Sequence, residues 1–359
     1  MEQQHDMNTR NCILFLSLQM IFVNLSVAQD TQVVTSIGKT AVLFQSEQPL
    51  SIKLKYSIKD IKKNTTDSTF IGSTLFYKND ELLYDSLPMK LRARGNFRRK
   101  YCYYAPLKLK LKESLTKGTP FEGNKKLKVV LPCSIGTIQN DNVVKEYMAY
   151  KFYEIISPVH FKTRLANIEF IEEKGQRTKE HSIKGFFVED LDNVAERFDG
   201  REITRRIEPL QHDDLISVKN SFFHLLIGNT DFSTRSLHNN KLLFIDKKII
   251  CIPYDFDMSG LVNADYATVS GIDNLPIKIT DVTQRLYKGY MRDEALFHEV
   301  RQDFLDHKIE ILNTVDSLEE YFQNTDQFKK AKLFIADFFE ILENDKNFDK
   351  YILGRARTN

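Results

Sequence analysis

Residues 107–112 read LKLKLK, residues 127–131 read LKVVL, and Lys117-Gly118-Thr119-Pro120 lies between them. Alternation at a period of two places apolar side chains on one face of a strand and polar ones on the other, so both runs predict half-buried β-strands joined through a turn. The same alternation recurs upstream in 51–58 (SIKLKYSI), 70–77 (FIGSTLFY) and 89–94 (MKLRAR). The chain from about Val33 to Val130 therefore reads as an antiparallel sheet. At Asn140 the period changes: Val144, Tyr147, Met148, Lys151, Phe152 and Ile155 recur at steps of three and four, and Pro158 closes the helix they predict. Strands return at 165–171 and 183–189, followed by helices over 213–227, near 297–320 and over 326–344. This order predicts an α+β chain of two lobes: a strand-rich part with one helix (29–190) and a mainly helical part (191–359), joined near Glu189–Asp192.

The N-terminus predicts export. Residues 12–28 (CILFLSLQMIFVNLSVA) follow Arg10 and end in Ser26-Val27-Ala28 before the polar Gln29. A charged start, an apolar stretch and small residues at its end are the pattern of a cleavable signal peptide, here residues 1–28. The stretch is shorter than the ~20 apolar residues of a membrane span. No later run is long and apolar enough, so the mature chain is expected in the periplasm, on the cell surface or outside the cell, with no transmembrane segment.

Lys and Arg number 51 against 49 Asp and Glu, a formal charge of +2 that names no nucleic-acid partner. A chain that is 42% hydrophobic and 28% charged is globular rather than disordered. Beyond the signal segment the cysteines are Cys102, Cys133 and Cys251, too few for a disulfide framework; Cys102 with Cys133 is the pairing expected. No His or Cys cluster has zinc spacing.

Two polar clusters follow apolar elements in the second part. Gly228-Asn229-Thr230-Asp231 comes directly after a helix and leads to Leu237-His238-Asn239-Asn240 and the strand 241–245; Pro253-Tyr254-Asp255-Phe256-Asp257 ends the strand 249–252. An Asp beyond a helix, an Asn some residues on, and a strand ending in further Asp suit phosphoryl transfer, where one carboxylate orients the attacking hydroxyl and the others hold a divalent cation. The same residues also serve as caps and turn formers.

With Leu91-Arg92-Ala93-Arg94-Gly95-Asn96 before them, these clusters resemble the spore-coat protein H (CotH) family of secreted atypical protein kinases, over roughly residues 90–260. The resemblance implies a bilobal protein-kinase-like fold, ATP with Mg²⁺ or Mn²⁺ as cofactors, and a secreted or surface protein as acceptor. It makes Asp231 catalytic and Asn239, Asp255 and Asp257 the metal residues, with Asn240 adjacent to Asn239. A strand Lys paired with a helix Glu is then expected at the nucleotide phosphates: Lys128 with Glu146, or alternatively Lys108 or Lys110. Arg94, with Arg92 and Asn96, is a phosphate contact or a sheet staple, and Glu189 an adenine or interlobe contact. His238 either orients its neighbours or is structural. Glycine-rich kinase, P-loop and hydrolase signatures are absent. The alternatives are a non-catalytic surface or matrix-binding protein on the same scaffold, and a nucleotidyl- or glutamyl-transferase.

Overall fold

The computed structural model describes residues 38–79, 81–272 and 279–358. The expected signal peptide, residues 1–28, and the mature start at Gln29 lie outside them. In β1 (Leu50–Tyr56) the residues Leu50, Ile52, Leu54 and Tyr56 are buried, and the intervening Ser51, Lys53 and Lys55 face outward. β2 (Ile71–Lys78), β3 (Tyr84–Ala93), β4 (Leu107–Leu111) and β5 (Lys126–Val130) each pair antiparallel with the strand before. Leu87, Met89, Leu91, Leu107, Leu109, Leu127 and Val129 share one interior with the β1 residues. Three short helices, α1 (Ile58–Asn64), α2 (Phe97–Tyr101) and α3 (Glu113–Thr116), sit in the connections.

The sheet closes. β6 (Thr163–Lys174) and β7 (Arg177–Val188) form a hairpin that pairs β7 with β5 and runs β6 parallel to β1, from Leu50 opposite Ala166 to Tyr56 opposite Glu172. The result is a closed barrel in the order β1-β2-β3-β4-β5-β7-β6. This overturns the bilobal protein-kinase-like fold, with its strand-rich N-terminal lobe and helical C-terminal lobe, whereas the antiparallel pairing expected from Val33 to Val130 holds from β1 to β5. The physical reason is that the free edges of β1 and β5 would expose unpaired backbone groups, and the β6–β7 hairpin satisfies both. Local alternation marks the strands and carries no record of partners so distant in sequence. Gly185 lets the hairpin close: a Cβ there would lie 2.5 Å from Ile168 Cδ1 and 2.9 Å from the Val130 carbonyl oxygen.

β7 faces two ways. Ile183 and Phe187 fill the barrel, whereas Phe186 and Val188 join a second core built on α4 (Thr137–Ile156). α4 is buried almost all round, as a helix between two layers must be. The same core takes in α5 (Leu191–Arg197), α6 (Asp214–Leu226), α7 (Glu294–Asp306), α8 (Lys308–Ser317), α9 (Thr325–Glu343) and α10 (Asp345–Tyr351), with α6, α8 and α9 packed against α4. The expected helix 297–320 is broken at His307 into α7 and α8. The second core thus takes α4, Phe186 and Val188 of β7, Val130 of β5 and Leu165 of β6 from the strand-rich half. A small sheet, β8 (Arg201–Ile203), β9 (Asn240–Ile245) and β10 (Lys248–Pro253), completes the chain; Asp246 and Lys247 turn its hairpin with φ of 46° and 64°, as a two-residue primed turn requires.

Cys102 and Cys133 form a disulfide that ties the end of α2 to the segment after β5, and Cys251 is free and buried. Among the described residues, no helix is long and apolar enough to cross a membrane.

Candidate functional site

Phe256 fixes the acidic segment that follows β10. It is fully buried, with its ring 4.6 Å from that of Tyr150 and 5.1 Å from that of Phe223, so the flanking Asp255 and Asp257 have defined positions. The Asp255 N–H donates to the Tyr150 hydroxyl (3.0 Å), tying the segment to α4. Asp255 has a left-handed backbone, φ 67°, which Asp tolerates better than most residues.

Asp231 is placed by the turn after α6. Gly228, with φ 60°, lies where a Cβ would meet Phe334 at 2.8 Å, and the Asn229 side chain accepts from the Asp231 N–H (2.9 Å). The chain then loops back through a bridge between Ser233 and His238. This return sets Asn239 against Asp231: Asn239 Nδ2 donates to the Asp231 carbonyl (2.7 Å) and to Oδ2 (3.0 Å). Asn240 instead is buried, donating to the His238 carbonyl and accepting from Cys251 Sγ. Asn239 is therefore the amide at the cleft.

A cleft of about 320 Å³ brings together Arg94, Asn96, Arg98, Asp231, His238, Asn239, Tyr254, Asp255 and Asp257. Burial would raise the Asp231 carboxyl, but the hydrogen bond and charge of His238, 3.3 Å away, prevail and hold it below the usual carboxylate range. Asp257 goes the other way: burial and the Asp255 charge push it up to about 6 against the opposing pull of Arg98 and of Tyr266, whose hydroxyl donates at 3.0 Å. Glu146, on α4, is raised well above the carboxylate range by burial and by Asp257.

Arg98 binds this cluster together. Its Nη1 lies 3.6 Å from Glu146 Oε2 and its Nε 3.7 Å from Asp257 Oδ2, while Nη2 donates to the Leu131 carbonyl. Arg94 Nη2 lies 4.0 Å from Asp255 Oδ2. Sequence reasoning missed Arg98, although it stands four residues after Arg94 in the same Arg-Gly-Asn segment. It also missed Tyr150 and Tyr266, for which no sequence pattern gives a signal.

The expected Lys128–Glu146 pair does not form, because Arg98 occupies the ionic position beside Glu146. Lys128 projects from the outer barrel face with its ammonium 4.8 Å from the Phe161 ring centroid and 4.9 Å from that of Tyr254, at the edge of the cleft. Burial, then the Arg94 charge, lower it to about 7. Lys108 pairs with Asp190 at 3.1 Å, and Lys110 lies exposed, 4.2 Å over the Phe70 ring, outside the cleft lining. Glu189 is fully buried and bound by Arg197 through Nε (3.1 Å) and Nη2 (2.9 Å), so it is a strut rather than a contact open to adenine.

The cleft residues suit a hard divalent cation in donor chemistry. Asp255 and Asp257 are carboxylates, and Asn239, its Nδ2 engaged by Asp231, offers Oδ1. Among the described residues, the carboxyl groups of Glu146, Asp255 and Asp257 lie beside the guanidinium groups of Arg94 and Arg98, and Glu146 Oε1 is buried without a hydrogen-bond partner. Among the described residues no three His, Cys, Asp or Glu side chains form a metal cluster, so substrate oxygens or water would complete such a shell, as Mg²⁺ sites commonly require. No family model matches the chain, and no curated protein matches it.

Proposed function

We propose that this cleft transfers the γ-phosphoryl group of ATP to a hydroxyl of an exported or surface protein, in the manner implied by the resemblance to CotH kinases, on a barrel-and-helix scaffold. The observation that carries the reading is the convergence of Asp231, Asn239, Asp255 and Asp257 in one cleft. Asp231, kept ionised by His238, accepts the proton of the acceptor hydroxyl as its oxygen bonds to the γ-phosphorus and the bond to ADP breaks. Asp255, Asp257 and Asn239 Oδ1 would hold Mg²⁺ or Mn²⁺, which supplies neutralisation of phosphate charge when bound. Arg94, in the cleft, and Lys128, at its edge beside Tyr254, would meet the phosphates in this reading. The Cys102–Cys133 disulfide supports export, since such bonds persist in oxidising compartments.

The test is transfer of γ-labelled phosphate to an acceptor protein. Asp231→Asn should lower the rate by at least about two decades, the scale for losing a group that acts mainly in the transition state. Wild-type protein with no transfer to any hydroxyl acceptor refutes the reading. Added AMP in place of phosphate marks a nucleotidyl-transferase. One observation favours a second reading, a non-catalytic surface-binding protein: Arg94 and Arg98 already lie beside the carboxylates that a cation would need. Under that reading neither Mn²⁺ nor ATP binds the cleft.

A further inference from the structure

Across β3, β4 and β5 the outer barrel face places cation opposite cation. Lys90 is opposite Lys110, which is opposite Lys126; one rung nearer the cleft, Arg92 is opposite Lys108, which is opposite Lys128. Like charges directly across antiparallel strands destabilise a sheet. Of these six cations, Arg92, Lys108 and Lys126 are paired, with Asp67, Asp190 and Asp192. Lys128 and Lys110 lie over aromatic rings, and Lys90 and Lys110 are exposed with no carboxylate partner among the described residues. Lys90 and Lys110 thus leave two uncompensated positive charges on one face of a chain whose whole formal charge is +2.

The rows lead into the cleft. Arg94 continues β3 beyond Arg92 and lines the cleft beside Asp255, and Pro106, just before β4, lines it too. We infer that this wall docks an acidic segment of the acceptor protein, an inference that rests on the phosphotransfer reading of the cleft. Charge complementarity selects the chemistry, and spacing selects an extended peptide. Successive rungs along a strand are ~6.7 Å apart, the same repeat as alternate side chains of an extended peptide, so carboxylates at every second position meet successive rungs. From Arg94 to Lys90 is ~13 Å along β3, which puts the acidic residues from about the fourth position onward, counted from the acceptor hydroxyl.

Fluorescence anisotropy tests this with three labelled peptides of equal length: a serine and three glycines followed by alternating Glu and Gly, the same with Gln for Glu, and the same with Lys for Glu. The acidic peptide should bind at least about tenfold tighter than the Gln peptide at low ionic strength, with the preference shrinking as salt rises. Lys90→Glu with Lys110→Glu should cost the acidic peptide about tenfold while leaving ATP binding in Mn²⁺ and the thermal midpoint unchanged. Equal binding of acidic and Gln peptides, no effect of the double reversal, or tighter binding of duplex DNA or a sulfated glycan through the same lysines overturns the inference. If the acidic peptide binds as expected but no phosphate is transferred, the docking wall stands and the phosphotransfer reading falls.

Discussion

Replacing Arg98 with Met removes a cation that lies beside both Glu146 and Asp257 while keeping much of its length. Arg98 is 6% exposed, with ionic contacts of 3.6 and 3.7 Å. Breaking a buried ion pair and leaving the partner charge costs about 3–5 kcal/mol, and the lost hydrogen bond to the Leu131 carbonyl roughly 1 kcal/mol more. At roughly 2 °C per kcal/mol for a chain of this size, the thermal midpoint should drop by about 8–12 °C at pH 7. The pH dependence gives the signature. Both carboxyls already sit above their ordinary range in the folded state, Asp257 at about 6. A raised carboxyl pKa penalises folding only above the ordinary value near ~4, and the penalty grows as pH rises toward the folded value. Without Arg98 both values rise further, so the deficit should be larger at pH 7 than at pH 5, by about 1–2 kcal/mol. Urea unfolding of wild type and Arg98→Met at the two pH values measures it. A deficit below about 1 kcal/mol, or one independent of pH, would refute the electrostatic role given to Arg98.

The Cys102–Cys133 bond spans a sequence separation of 31, so Cys102→Ser with Cys133→Ser should lower unfolding stability by roughly 3.5 kcal/mol on the loop-entropy account, read by urea denaturation. Lys128, lowered to about 7, should react with a small amine-acylating reagent with a midpoint near that pH, whereas exposed lysines titrate near ~10.4; peptide mass mapping across pH separates them, and a midpoint for Lys128 above about 9 contradicts its placement among Arg94, Phe161 and Tyr254.

Periodicity located most elements, because alternation in β1 through β5 and the three-and-four spacing in α4 are direct imprints of one buried face. It could not close the barrel. The parallel pairing of Leu50–Tyr56 with Ala166–Glu172 depends on which distant edge is free, and no local repeat encodes that. In the site, the four residues of the two polar clusters do meet, since a short hairpin and the bonded pair Asn239 and Asp231 hold them. The Lys128–Glu146 pair failed for a similar reason to the fold. Arg98 reaches Glu146 from α2, a five-residue helix whose position is fixed by a disulfide and a carbonyl contact rather than by any periodic pattern.

In the proposed phosphotransfer, Asp255, Asp257 and Asn239 bind a cation–nucleotide pair while Asp231 serves the acceptor. Isothermal titration of the purified chain with ATP, in Mn²⁺ and after chelation, tests it most directly. Binding should weaken at least about tenfold on chelation, persist in Asp231→Asn and be lost in Asp257→Asn, because attraction between ATP and an acidic cleft passes through the cation. ATP affinity that is the same with and without Mn²⁺, or that is unchanged in Asp257→Asn, contradicts it.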